Sequence, residues 1–158
     1  MLNFTSNSYL GLNEHPAMKA AAVDAVFGPA SDRGSMVISG ASGIVGAGKT
    51  MQLGSRLAPF GVPIVALDFP GVPDGIGAQY PGLVRAFGTD RAAAIMGNVI
   101  RLAYDGSHLP SQLDGLSPRF LLEAVPENLE INNGYVRGIE NGFSLVRASY
   151  NGITYASD

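Results

Sequence analysis

The chain reads as an α/β protein built on a Rossmann-like parallel sheet, with an N-terminal helical arm and a C-terminal stretch patterned as an antiparallel β-meander. Three observations predict this. An apolar run, Met36-Val37-Ile38, opens into a glycine-crowded turn and then an amphipathic helix that gives way to a second apolar run ending on Asp68. That β-α-β unit, Ser35 to Asp68, has about the length of a parallel crossover. The last 30 or so residues instead carry Asn133-Gly134, Asn141-Gly142 and Asn151-Gly152, the dipeptides that type I′ hairpin turns favour.

Residues 1–34 precede the first clear strand and form the arm. Pro16 suits the first turn of a helix, and Ala17 to Phe27 has alanine-rich helical spacing with Met18, Ala22 and Val26 on one stripe, ended by Gly28-Pro29. His15 is a helix-start residue. The nucleotide-binding unit spans 35–131. Its first helix runs through Met51, Leu53, Leu57 and Ala58 to Gly61, and its second strand covers Val62 to Asp68. A Pro- and Gly-rich loop, Phe69 to Gly82, starts at the carboxyl end of that strand, where open α/β sheets place ligands, so it is either a lid or mobile. Leu83 to Leu102 carries a helical stripe weakened by Gly88 and Gly97, with Arg85, Arg91 and Arg101 along it; they form either a solvated face or a phosphate-neutralising one. Tyr104 to Pro118 is a polar connection holding His108, and Arg119 to Ile131 gives a short strand leading into an acidic corner. Residues 132–158 form the meander, with strands Tyr135–Ile139, Phe143–Ser149 and Ile153–Ser157 between the turns.

Glycines gather after a strand when the backbone must bend sharply and let an anion approach the N–H groups at a helix N-terminus. Two motifs share these residues. Gly40-x-x-Gly43-x-x-Gly46, with Asp68 at the end of the next strand, fits a loosened dinucleotide fingerprint in which Asp68 bonds the ribose hydroxyls of NAD. Gly43-x-x-x-x-Gly48-Lys49-Thr50 is a complete P-loop pattern, with Lys49 for the β/γ-phosphates of ATP, Thr50 for magnesium and Asp68 as a second acidic partner. A plain glycine turn without a ligand is the third reading, and spacing does not choose among them.

Composition narrows the classes further. With 158 residues, 46% hydrophobic content, 21 glycines and 10 prolines, the chain suits a loop-rich globular protein with a real core. A net charge of −3 with only 10 Lys and Arg gives no basic footprint for nucleic acid. The absence of cysteine excludes disulfides, zinc-thiolate sites and a cysteine nucleophile. No apolar run has the length of a membrane helix and no signal-peptide pattern opens the chain, which sets the expectation of a cytoplasmic protein. No nucleophile–base pair or metal cluster assembles around the two histidines, so no catalytic or metal-ligating residue is assigned.

Three stretches resemble known families. Asn3-Phe4-Thr5-Ser6-Asn7-Ser8-Tyr9-Leu10-Gly11-Leu12, His15-Pro16 and Ile38-Ser39-Gly40 are similar to the N-terminal part of α-oxoamine synthases; nothing after Gly40 continues that pattern, and their pyridoxal phosphate is not carried over. Leu121-Leu122-Glu123-Ala124-Val125-Pro126-Glu127-Asn128-Leu129-Glu130-Ile131 resembles the signature after the fourth strand of 3-hydroxyacyl-CoA dehydrogenases, with Gly40 to Asp68 serving as their NAD fingerprint. That resemblance covers residues 35–131 and implies that Glu127 lies beside the nicotinamide half of NAD. Departures are an extra residue in the glycine fingerprint and Asn132 where the family carries lysine; the family's catalytic residues would fall beyond Asp158. Residues 134–149, above all Gly142 to Ser149, are similar to the phosphate-contacting strand of the phosphomannomutase C-terminal domain, which implies phosphate roles for Arg147 and Ser149; Tyr150-Asn151-Gly152-Ile153 replaces what should follow. None of the three spans the chain.

The leading expectation is an NAD(H)-binding domain of an oxidoreductase acting on a 3-hydroxyacyl-type substrate, incomplete for catalysis on its own. Gly40, Gly43, Gly46, Asp68 and Glu127 would hold the cofactor. The alternatives are a small ATP-dependent P-loop phosphotransferase using Gly48, Lys49 and Thr50, or a non-catalytic assembly module. The weakly charged final strand, Ile153 to Ser157, sets the expectation of a homo-oligomer.

Overall fold

The computed structural model describes residues 12–104 and 109–124. Within them four parallel strands, β1 (Ser35–Ser39), β2 (Ile64–Asp68), β3 (Val99–Ala103) and β4 (Pro118–Glu123), form one sheet in the order β3-β2-β1-β4. Four α-helices accompany them: α1 (Pro16–Phe27), α2 (Ile44–Leu57), α3 (Tyr80–Phe87) and α4 (Thr89–Gly97). The expected Rossmann-like α/β architecture is thus present. The meander over 132–158 lies outside the described residues.

The two central strands explain the apolar runs. Every residue of β1 and the first four of β2 are buried, because helices or connections cover both faces of the sheet. One layer packs Met36, Ile38, Ile64 and Ala66 against Ala47 and Met51 of α2, Ala92 and Ile95 of α4, and Val23 and Phe27 of α1. On the other face Val37, Val65 and Leu67 meet Tyr104 and Leu113, the latter from a 3₁₀ turn over Ser111–Leu116. Full burial of each Val, Ile or Leu stabilises by roughly 1.5–3 kcal/mol, so these strands dominate the core.

α1 starts as expected: Pro16 occupies its first turn and His15 caps it, Nδ1 accepting from the Ala17 N–H at 3.2 Å. Its buried face is different from the predicted one. Val23 and Phe27 face the core, Phe27 lying 6.5 Å from the Phe120 ring, while Met18 and Val26 are exposed. A helix this rich in alanine has no clear apolar stripe of its own, and the aromatic contact decides its rotation.

The larger difference concerns Leu83 to Leu102, expected to carry a helical stripe weakened by Gly88 and Gly97. α3 ends at Gly88, whose φ of 80° and ψ of 165° lie in a region that only glycine populates readily. After α4, Val99 begins β3, where β-branched Val99 and Ile100 suit a strand. Asn98 fixes the junction, its Nδ2 donating to Val62 O at 2.7 Å while its own carbonyl accepts from Ile64 N at 3.0 Å. Arg85, Arg91 and Arg101 consequently fall on three separate elements, α3, α4 and β3.

Gly88 and Gly97 look alike in sequence and are predicted to respond in opposite directions. A Cβ at either meets nothing within 4 Å, so backbone conformation alone decides. Gly88→Ala should cost about 1–3 kcal/mol, and Gly97→Ala, inside α4, should add roughly 0.5–1 kcal/mol. Urea unfolding of the two variants measures both signs.

Candidate functional site

The order β3-β2-β1-β4 means that the chain builds outward from β1 through β2 to β3 and then returns to the other side of β1. The order reverses between β1 and β4, and doubly wound sheets bind their ligands in the crevice outside the carboxyl ends of the strands at such a reversal. The glycine turn sits there. Gly40 leaves β1 with φ 67°, its N–H donating to Leu67 O at 2.9 Å, and its carbonyl accepts from Gly43 N at 3.2 Å. α2 then begins at Ile44, capped by no side chain, with Ile44 and Val45 exposed. The orphan amides of such a helix start, with the positive end of its dipole, suit an anion.

The three glycines differ in what they permit. At Gly46 a Cβ would stand 2.0 Å from Gly40 O and 2.9 Å from Gly40 C, so α2 lies on the turn itself. At Gly43 the nearest atom to such a Cβ would be Gly40 O at 3.3 Å, a tight contact that small adjustments relieve.

Asp68 ends β2 on the α2 side of the sheet. Its two carboxylate oxygens lie 3.0 and 3.1 Å from Ser42 N, joining β2 to the middle of the glycine turn. One N–H leaves most of a carboxylate's acceptor capacity unused, and the group is only part-buried. The geometry suits a second donor, such as a ribose hydroxyl.

The connection after β2 packs against the same turn. A Cβ on Gly75 would reach within 2.1 Å of Ser42 O, and the next residue, Ile76, is fully buried. Asp74 holds this segment: it pairs with Arg101 of β3 at 2.6 Å and accepts from Gly77 N at 2.8 Å. The Arg101 guanidinium first, and the Gly77 N–H second, keep the Asp74 carboxyl below the usual carboxylate range. Arg101 therefore serves the loop. Arg91 lies 4.9 Å above the Phe87 ring, and Arg85 is exposed on α3.

The run that spells a P-loop is helical from Ile44 onward, so Gly48, Lys49 and Thr50 occupy the second turn of α2 instead of a phosphate-wrapping loop. Gly48 and Lys49 are exposed. Thr50 is fully buried, and its hydroxyl donates to Ala41 O in a long 3.4 Å bond. Glu127, His108, Arg147 and Ser149 lie outside the described residues. Two residues at the carboxyl ends of β1 and β4 were given no role by the family-like stretches that contain them: Ser39 and Glu123, register partners next to the bond from Ala124 N to Ser39 O at 2.9 Å. Apart from those stretches their signal was positional, each being a polar residue closing an apolar run.

Among the described residues no group of three or more His, Asp or Glu could hold a metal ion, and no helix is long and apolar enough to cross a membrane. Neither a family model, nor a curated protein, nor a solved structure matches the chain.

Gly46→Ala is expected to destabilise by at least about 2 kcal/mol, since backbone must move to admit the methyl group, while Gly43→Ala should stay within about 1 kcal/mol. Thermal melts of the two variants, compared at equal concentration, test the difference.

Proposed function

We propose that the chain is an NAD(H)-binding domain of an oxidoreductase. The observation that carries this reading is the coincidence, at one topological switch point, of the glycine turn, the uncapped start of α2 and Asp68. The pyrophosphate would take the Ile44, Val45 and Gly46 amides, Gly40 and Gly43 leaving room for it. Asp68 would accept from the adenosine ribose hydroxyls while keeping its bond to Ser42 N. Bound NAD would supply the hydride chemistry, and the protein would orient it. A 3-hydroxyacyl-type substrate is part of the proposal on the resemblance of Leu121 to Ile131 alone. An ATP-dependent reaction finds less support, because the residues that would cradle its phosphates sit within a helix.

Titration calorimetry with NADH at low salt tests the reading; neither heat nor a thermal shift at millimolar cofactor would remove it. NADPH should bind more than about tenfold more weakly than NADH, because the Asp68 carboxylate would face the 2′-phosphate. Asp68→Asn keeps an acceptor for Ser42 N and should narrow that gap. Lys49→Ala should leave NADH affinity unchanged, whereas a P-loop enzyme would lose ATP·Mg binding in the same variant.

A further inference from the structure

Ser39 and Glu123 close the two strands between which the sheet order reverses. They are register partners. Side chains of paired residues leave a sheet on the same face, and here that face is opposite to Ile38 and Leu122, which pack in the layer containing α2. Glu123 is exposed, and Ser39 is fully buried with an Oγ that has no hydrogen-bond partner among the described residues. Ser35 Oγ is in the same condition at the amino end of β1, away from the carboxyl ends of the strands, and so provides a control.

The direction of a bound dinucleotide follows from the site already described, and this inference rests on that reading. With the adenosine ribose at Asp68 on β2 and the pyrophosphate at the start of α2 over β1, an extended cofactor carries its second nucleoside past β1 towards β4. The residue that ends β4 is Glu123. We propose that Glu123 is a nicotinamide-side contact of this domain, that its carboxylate favours the cationic, oxidised ring over the neutral reduced one, and that the Ser39 hydroxyl positions it. Facing side chains on neighbouring strands have Cβ atoms about 5 Å apart, within reach of a serine-to-carboxylate hydrogen bond once the glutamate turns inward. Such a bond would satisfy a buried hydroxyl that is otherwise costly to leave unpaired.

The experiment compares ADP-ribose, NAD⁺ and NADH by calorimetry on the intact chain and on Glu123→Gln, Ser39→Ala and Ser35→Ala. ADP-ribose lacks nicotinamide and reports on the adenosine–pyrophosphate half alone. Glu123→Gln should weaken NAD⁺ about fivefold, the effect of a carboxylate about 4 Å from a cation in a watery site, with NADH and ADP-ribose unchanged. Ser39→Ala should lower the NAD⁺/NADH affinity ratio in the same direction without loss of thermal midpoint, and Ser35→Ala should leave the ratio alone. Normal ADP-ribose binding with an unaltered ratio in Glu123→Gln would overturn the inference while the dinucleotide reading stands. A Glu123→Gln variant weakened equally for all three ligands would overturn it too, because the residue would then be acting through the fold. Failure of the unsubstituted chain to bind any of the three would overturn both.

Discussion

The carboxyl end of this sheet is organised by one steric constraint: α2 lies so close to the turn leaving β1 that position 46 has no room for a side chain. Gly46 lets the helix start directly over Gly40, which leaves the uncapped amides of Ile44, Val45 and Gly46 beside the turn that follows β1. Thr50 and Gly54 continue the same close-packed side of α2, both buried, with a Cβ at Gly54 coming no nearer than 3.6 Å to Ile95. Small residues along this stripe set the spacing between helix and sheet, and that spacing sets where an anion can be held.

Around this contact the neighbouring elements converge. Asp68 ties β2 to Ser42, and Gly75 packs onto the Ser42 carbonyl from the other side, so the turn is clamped between two segments far from it in sequence. The clamp is itself anchored to β3 through Asp74 and Arg101. An exposed ion pair contributes little stability alone, but here it fixes a loop whose other contacts are a buried isoleucine and a backbone approach. A turn preorganised in this way would meet an anion without first having to order itself.

The central part of the fold was legible because its signals were local and mutually consistent: an apolar strand, glycines at the turn, an amphipathic helix and an acid ending the next strand. β3 was not, since Val99 to Leu102 is too short and too close to a helical run for periodicity to separate strand from helix, and its pairing with β2 depends on Asn98 meeting Val62 and Ile64, residues some 35 positions earlier. The buried face of α1 was hidden for a related reason, as a ring contact with Phe120 chooses among nearly equivalent alanine-rich faces. At the site, Gly40, Gly43, Gly46 and Asp68 come together as their spacing suggested. Overlap of two motifs left Gly48, Lys49 and Thr50 unresolved until the helix start at Ile44 placed them inside α2.

The function proposed for this chain requires the Ile44, Val45 and Gly46 amides to form the anion-binding surface of a dinucleotide site, since Ser42 N and Gly43 N already donate to Asp68 and to Gly40 O. Amides in the first turn of a helix lack intrahelical partners and exchange readily with solvent hydrogen unless a ligand covers them. Residue-resolved hydrogen exchange of the intact chain, with and without saturating NADH, tests the claim most directly. Slowed exchange at Ile44, Val45 and Gly46, with Gly97 and Asn98 unchanged, is the predicted result; unchanged exchange at Ile44 to Gly46 under saturating cofactor would contradict it.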